Sequence, residues 1–144
     1  MDNVAENFEY IGLFLSKEDK SKLEDYLIDF PLTSNLIARG NLYLDHCTLL
    51  HCTCKDESLK RAILTNLHFN KGKNYTITIT HIGINDRALA FKVDLGNLLC
   101  QNENPHITIS TEKYISPVES NNIKIWFAIS PIKIEARLDY KLKK

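Results

Sequence analysis

Strict two-residue alternation constrains the fold more than any other feature of this sequence. From Asn74 to Ile84 the chain includes Tyr-Thr-Ile-Thr-Ile-Thr-His-Ile, with a β-branched residue at nearly every position. Successive side chains on a strand point to opposite faces, so the pattern predicts a strand with one apolar face. Asn85-Asp86 indicates a turn into a second strand, from Ala88 to Leu95.

Two stretches have helical spacing and clear end signals. Ser16 is an N-cap followed by apolar residues three and four apart, and Pro31 ends that stretch. Asp56 opens a second helix, which ends at Asn70-Lys-Gly72. The sequence between Gly96 and Pro105 is polar and predicts a loop. The remaining β-type stretches are Tyr10–Leu15, Leu42–Cys54, Ile107–Thr111, and Ile123–Ile129 and Ile132–Leu138, which Ser130-Pro131 separates.

Helices interleave with strands early in the chain and strands dominate later, which is typical of an α+β fold with mostly antiparallel sheets. The chain has 144 residues, so residues 1–144 are expected to form a single domain. Lysine plus arginine equals aspartate plus glutamate, 18 against 18. A neutral chain has no overall field that draws it to nucleic acid or to a membrane.

The N-terminal sequence is acidic and lacks the basic start and apolar core of a signal peptide. The apolar runs are only as long as strands, so we expect a protein that does not span a membrane and is cytoplasmic. In that compartment the four cysteines are expected to be reduced thiols.

Three of the five histidines precede a threonine by two residues. In the predicted strands, His46 and Thr48 share one face, as do His106 and Thr108, while the residues between them point to the core. The third pair, His51 and Thr53, is out of step with His46, so without a bulge it lies on the opposite face. We therefore expect the two outer motifs to be equivalent and the third pair, His51 and Thr53, to be a neighbour without an equivalent role.

Two imidazoles that face each other can act as general acid and general base at neutral pH, because one can be protonated while the other is neutral. Two threonine hydroxyls can donate hydrogen bonds to phosphate oxygens. His46 and His106 are thus the candidate catalytic residues, and Thr48 and Thr108 the candidate phosphate clamps. This chemistry breaks a phosphodiester bond without a metal or another cofactor.

The sequences His46-Cys-Thr-Leu49 and His106-Ile-Thr-Ile109 resemble the two signature motifs of the 2H phosphoesterases. Within that superfamily, Thr80–Phe91 and Asn104–Thr108 look most like the cyclic phosphodiesterase domain of fungal-type tRNA ligases, here without a ligase or kinase. The resemblance implies a bilobal fold of two mostly antiparallel sheets, with outer helices and a central cleft. By the usual assignment in the family, His106 activates water and His46 protonates the departing ribose oxygen.

The resemblance implies a small nucleotide or an RNA end as substrate, with a bond to a ribose 2′-oxygen as the target. It leaves two substrate classes nearly equal: 2′,3′-cyclic phosphates of RNA ends, and 2′-5′ linkages of signalling nucleotides, whose cleavage erases an immune signal. Ser110 and Tyr114 are predicted to bind substrate, Tyr114 by stacking on a base. Tyr10, Tyr43 and Trp126 are alternative stacking residues, and Lys113, Arg39 and Arg87 are candidate phosphate ligands.

Two other readings compete with catalysis. One alternative is a nucleotide- or RNA-binding module without turnover, although all four motif residues are present. The group His46, Cys47, His51, Cys52 and Cys54 could instead hold zinc, but structural zinc sites usually draw paired ligands from two places, and only one such cluster exists. We expect no obligate protein partner and a monomer.

Overall fold

The computed structural model describes residues 7–28 and 41–143. They form seven strands, two α-helices and one 3-10 helix: β1 (Phe8–Leu15), α1 (Lys17–Ile28), β2 (Asn41–Leu42), β3 (His46–His51), α2 (Glu57–Asn70), β4 (Asn74–Ile84), β5 (Ala88–Asp94), β6 (His106–Thr111), the 3-10 helix Pro117–Asn122 and β7 (Ile125–Leu142).

The helix starts follow the sequence signals. The Ser16 hydroxyl accepts a hydrogen bond from the backbone N–H of Asp19 at 3.1 Å, which caps α1. The Asp56 carboxylate accepts from the N–H of Leu59 at 3.1 Å and caps α2. Both predicted starts are confirmed, and α2 ends at Asn70 as predicted. The predicted end of α1 at Pro31 lies outside the described residues.

The expected bilobal α+β fold with two separate sheets is wrong. Six strands form one closed antiparallel barrel in the order β6-β3-β1-β7-β4-β5, and the last strand pairs again with the first. Ile107 on β6 shows the closure, because it pairs with Cys47 on β3 and with Phe91 on β5. A closed sheet leaves few unpaired backbone N–H and C=O groups at its edges, which stabilises it over two open sheets. The prediction of antiparallel pairing is confirmed.

A single 18-residue strand, β7, replaces the two strands that the sequence predicts on either side of Ser130-Pro131. The predicted break at Ser130-Pro131 is wrong, because β7 runs through it. Ile132 pairs with Ile79 and Ala128 with His81, so residues 129–131 face one residue of β4. Pro131 therefore lies in a bulge, where its missing N–H costs no ladder hydrogen bond.

The predicted strand Leu42–Cys54 is interrupted instead. Residues 43–45 leave the strand conformation, and Leu44 has a φ of 56°. Across this break the antiparallel register against β6 changes, from Leu42 opposite Ser110 to Cys47 opposite Ile107. The break thus sets the position of His46, the first residue of β3.

The main core joins one face of the sheet to both helices. Leu23 of α1 and Leu67 of α2 are fully buried in the same cluster as Cys47 and Ile107. Because strand side chains alternate, the neighbours of Cys47 and Ile107 point away from this core. No helix in the described residues is long and apolar enough to cross a bilayer.

Candidate active site

A cleft of about 580 Å³ lies on the sheet face opposite the helices and contains both outer His-x-Thr motifs. Its walls come from β1, β3, β6, the chain before β3, the loop before β6, the 3-10 helix and the end of β7. The lining residues are Glu9, Tyr10, Tyr43, Asp45, His46, Thr48, His51, Thr53, Gln101, Asn102, His106, Thr108, Ser116, Pro117, Val118, Asn121 and Lys141.

The register between β3 and β6 places the histidine of each motif opposite the threonine of the other. Cys47 and Ile107 are antiparallel partners. This register sets His46 opposite Thr108, and Thr48 opposite His106, on the face away from the core. Each imidazole therefore lies beside the hydroxyl of the other motif, so the four polar groups are arranged around one point between the strands.

Aromatic rings hold the imidazole of His46. Tyr10 lies 4.4 Å from it between ring centroids, with 14° between the planes, and Phe14 lies 5.6 Å away at 29°. Gly12 stands between these two residues on the same face of β1. A Cβ atom at Gly12 would lie 2.7 Å from the Cys47 carbonyl oxygen and 3.6 Å from Cδ2 of His46. The missing side chain is what lets the ring lie against β1.

Burial lowers the pKa of His46 to about 4, opposed in part by the negative charge of Asp45. The positive charge of Lys141 and the neighbouring His106 lower this pKa further. The Nδ1 atom of His46 is buried and has no hydrogen-bond partner among the described residues. The ring is therefore oriented by stacking and packing.

His106 is oriented differently, by a hydrogen bond. Its Nδ1 atom lies 2.9 Å from the backbone carbonyl oxygen of Asn104. A carbonyl can only accept, so Nδ1 carries the proton, and in the neutral ring Nε2 has a free lone pair. Burial lowers the pKa of His106, and the hydrogen bond to Asn104 opposes this shift. A neutral imidazole with an available Nε2 is the form that a general base requires.

The Thr108 hydroxyl is positioned from outside its own strand. Its Oγ1 lies 2.9 Å from Oγ of Ser120, a buried residue on the 3-10 helix Pro117–Asn122. If the Ser120 hydroxyl donates, Thr108 keeps its own O–H for a ligand. The sequence reading missed both this short helix and Ser120.

The prediction that His51 and Thr53 lie on the opposite face is wrong. Ile11 pairs with Leu50 but Gly12 pairs with Thr48, so Leu49 is an extra residue in β3. This bulge buries Leu49 and Leu50 in succession and returns His51 to the cleft side. His51 is tied to its own turn, since its Nδ1 lies 2.9 Å from Thr53 Oγ1.

Ser110 and Tyr114 are not among the cleft-lining residues. β6 contains a bulge of its own, because Ala90 pairs with Thr108 while Leu89 pairs with Ser110. Beyond it, Ser110 is fully buried, with no hydrogen-bond partner for its hydroxyl among the described residues. The Tyr114 side chain is 96% exposed. The structure thus brings together His46, Thr48, His106 and Thr108, and the substrate-binding roles of Ser110 and Tyr114 stay predictions.

The charged residues at the cleft differ from those expected. Within residues 7–28 and 41–143, Lys141 is the one lysine or arginine that lines the cleft, and its Nζ lies 3.5 Å from the Glu9 carboxylate. Lys113 and Arg87 do not line the cleft, and Arg39 lies outside the described residues. The alternating pattern Tyr10-x-Gly12-x-Phe14 was the available sequence signal for the ring support of His46.

All four cysteines are free thiols, as expected. Burial raises the pKa of Cys47, which lies beneath the site on the core side. Within residues 7–28 and 41–143, no three or more His, Cys, Asp and Glu side chains are grouped so that they could hold a metal ion.

Comparison with known proteins identifies a family model that matches residues 44–131, more than half of the chain: the fungal tRNA ligase phosphodiesterase domain. No curated protein matches the sequence significantly. Among solved structures, a fungal RNA kinase is similar in fold, with a TM-score of 0.68 at 16% sequence identity. The match covers 95% of this chain but 46% of that one, so the chain spans about half the length of this relative.

Proposed function

The chain belongs to the fungal tRNA ligase phosphodiesterase domain family, and from this membership we propose that it hydrolyses 2′,3′-cyclic phosphates at RNA ends by the two-histidine mechanism of 2H phosphoesterases. The observation that carries the proposal is the crossed register of the two motifs about Cys47 and Ile107. That register brings two imidazoles and two hydroxyls to one cleft, and the family match covers both motifs.

His106 acts as the general base. Its Nδ1–H donates to the Asn104 carbonyl, so Nε2 takes the proton of a water molecule as the water oxygen attacks phosphorus. The lowered pKa of His106 keeps the ring neutral at physiological pH, as this role requires.

His46 acts as the general acid and donates a proton to the departing ribose oxygen. One P–O bond of the cyclic phosphate breaks, a ribose hydroxyl forms, and the phosphorus keeps one ester bond. A pKa near 4 disfavours the protonated ring, but a bound phosphate anion beside His46 raises that pKa, as an opposite charge does. Substrate binding therefore favours the protonated form of His46, which the general acid requires.

Thr48 and Thr108 hold the non-bridging phosphate oxygens, where negative charge increases in the transition state. Thr108 has the support of Ser120 at 2.9 Å. Because each threonine lies opposite the other motif's histidine, a phosphate between the strands meets an acid, a base and two donors together. With these groups in place, turnover should not depend on a metal.

Of the two substrate classes, the family description favours RNA ends, and the comparisons give no support for signalling nucleotides with 2′-5′ linkages. The chain has no net charge, and Lys141 is the one basic residue at the cleft in the described part of the chain; both features fit a short RNA end better than a long polyanion. Tyr43 and Val118, which line the cleft, offer apolar surface to the terminal nucleoside.

The test is product analysis with three oligonucleotides of the same length and base sequence: an RNA that ends in a 2′,3′-cyclic phosphate, an RNA with one internal 2′-5′ linkage, and a 3′-5′ linked DNA. We expect conversion of the cyclic phosphate to a phosphomonoester in EDTA, with the DNA left intact. The product also identifies which ribose oxygen departed. Loss of turnover on chelation that returns with zinc or manganese, or equal cleavage of the DNA, would contradict the proposal.

A further inference from the structure

A second, smaller pocket of about 250 Å³ adjoins the cleft on the β6 side. Four of its lining residues carry carboxamide side chains: Gln101, Asn102, Asn104 and Asn121. Three of them, Gln101, Asn102 and Asn121, also line the catalytic cleft. The two spaces therefore share part of their walls, so this carboxamide pocket lies beside a ligand held in the cleft.

Two residues of the carboxamide pocket also contact side chains of the second motif, His106 and Thr108. Asn104, whose carbonyl fixes the tautomer of His106, lines it. Ser120, whose hydroxyl contacts Thr108, lines it as well. A group bound here would lie against residues that directly contact His106 and Thr108, the two polar side chains of the second motif.

The charges of the carboxamide pocket exclude a phosphate. Among the residues that the structure describes, no lysine or arginine lines it, and Glu103 contributes a carboxylate. An anion would be repelled by Glu103, whereas a neutral heterocycle would not. Ile123 contributes an apolar, almost fully buried side chain to the lining.

The polar side chains at the edge are free to bind. Within the described residues, no hydrogen bond engages the side chains of Asn102, Glu103 or Asn121, although Gln101 Oε1 accepts from the His51 N–H at 2.8 Å. A carboxamide offers two donors and an acceptor, and a carboxylate offers only acceptors. Together they match a base edge that has adjacent N–H donors beside a carbonyl.

We propose that the carboxamide pocket binds the nucleobase of the substrate and selects guanine. The Watson–Crick edge of guanine presents two neighbouring N–H groups, which a carboxylate accepts as a pair, and a carbonyl oxygen, which a carboxamide N–H can meet. In this arrangement Glu103 accepts the pair, and Asn102 or Asn121 donates to the carbonyl. The inference rests on the proposed function, because the cyclic phosphate must occupy the cleft for its base to reach the pocket.

The experiment compares kcat/KM for the 2′,3′-cyclic monophosphates of guanosine, adenosine, cytidine and uridine at fixed ionic strength. We expect guanosine to be preferred by at least ~5-fold, the lower end for one bidentate base contact. Glu103→Gln should remove this preference by lowering the guanosine value alone. Glu57→Gln is the matched control, because it changes an exposed glutamate on α2 that lines neither pocket, and this variant should keep the guanosine preference.

A second readout does not depend on turnover. Guanosine 3′-monophosphate should shift the side-chain amide NMR signals of Asn102 and Asn121, and adenosine 3′-monophosphate should shift them much less. Turnover of all four cyclic monophosphates at equal rates, without such shifts, would overturn this inference and leave the proposed function in place. Guanosine-specific shifts without any turnover would support the pocket and overturn the proposed function. A preference for guanosine that persists in Glu103→Gln would also contradict the role proposed for Glu103.

Discussion

The ring of Tyr10 lies nearly parallel to the imidazole of His46, with 4.4 Å between centroids and 14° between planes. This contact replaces the hydrogen bond that catalytic histidines commonly make through their second nitrogen, since Nδ1 of His46 has no partner among the described residues. The two histidines of the site are thus held by different means: His106 by a carbonyl, His46 by rings.

Tyr10→Ala should lower kcat by about tenfold, because His46 loses the surface that orients it. Tyr10→Phe should retain most activity, since the ring is kept. The pKa of His46, followed by NMR titration, should rise toward its ordinary value in Tyr10→Ala as the imidazole becomes hydrated. Tyr75→Ala, on β4 and outside the cleft, is the control. An unchanged His46 titration in Tyr10→Ala would argue against a positioning role.

Gly12→Ala should destabilise the protein by about 1–3 kcal/mol, the usual cost of overpacking. The new Cβ would lie 2.7 Å from the Cys47 carbonyl oxygen, and a backbone atom cannot move aside without displacing β3. Urea unfolding measures the loss. Because β3 carries His46 and Thr48, kcat should fall as well. A variant with wild-type stability and activity would mean that the strands separate at no cost.

His46→Ala and His106→Ala should each lower kcat by at least ~10²-fold, the low end for a general acid or base. His51→Ala is the matched control on the same strand. Its imidazole lines the cleft but is bonded to Thr53 in its own turn, so we expect a smaller loss of turnover. Circular dichroism should show all three variants folded. If His51→Ala proves to be the inactive variant and His46→Ala is active, the assignment of the acid is wrong.

Ser120→Ala should reduce kcat about fivefold, which corresponds to one neutral hydrogen bond of about 1 kcal/mol. Without Ser120, the Thr108 hydroxyl loses its partner and rotates more freely. Thr108→Val should have a larger effect, and adding Ser120→Ala to it should cost little more, because the two act through one contact. Ser130→Ala, an exposed serine on β7, serves as the control. Additive losses of kcat in the double variant would show that Ser120 does not act through Thr108.

Burial of His46 should make stability depend on pH. Its pKa is about 4 in the folded protein, against an ordinary value of 6.5. Between these values the unfolded chain binds a proton that the folded protein does not, so the free energy of unfolding falls as the pH drops from 6.5 toward 4. The full loss from this one group is about 3 kcal/mol.

Urea unfolding of the wild type and of His46→Gln at pH 7 and pH 4.5 checks this dependence. The wild type should lose about 2–3 kcal/mol more than His46→Gln over that interval. His68→Gln changes an exposed histidine on α2 and should behave like the wild type. Equal losses in wild type and His46→Gln would show that His46 is not a buried neutral imidazole.

The local sequence determined a large part of this protein. Alternation predicted β4 from Asn74 to Ile84 to the residue, and Asp56 marked the start of α2. The same alternation set Thr48 beside His46 and Thr108 beside His106, because the direction of a strand side chain depends only on its own backbone. Two motifs of the same form, one per strand, were enough to predict that His46, Thr48, His106 and Thr108 lie on one surface, and all four line the same cleft.

Only the tertiary structure decided how the strands meet. Pairing of Ile107 with both Cys47 and Phe91 closes the barrel, and the extra residue Leu49 turns His51 back to the cleft. Neither leaves a local signal, because a bulge and a register are properties of two strands distant in sequence. The contacts that orient the site, Tyr10 on His46 and Ser120 on Thr108, arise in the same way: they depend on which backbone lies opposite, and that is fixed only when the sheet closes.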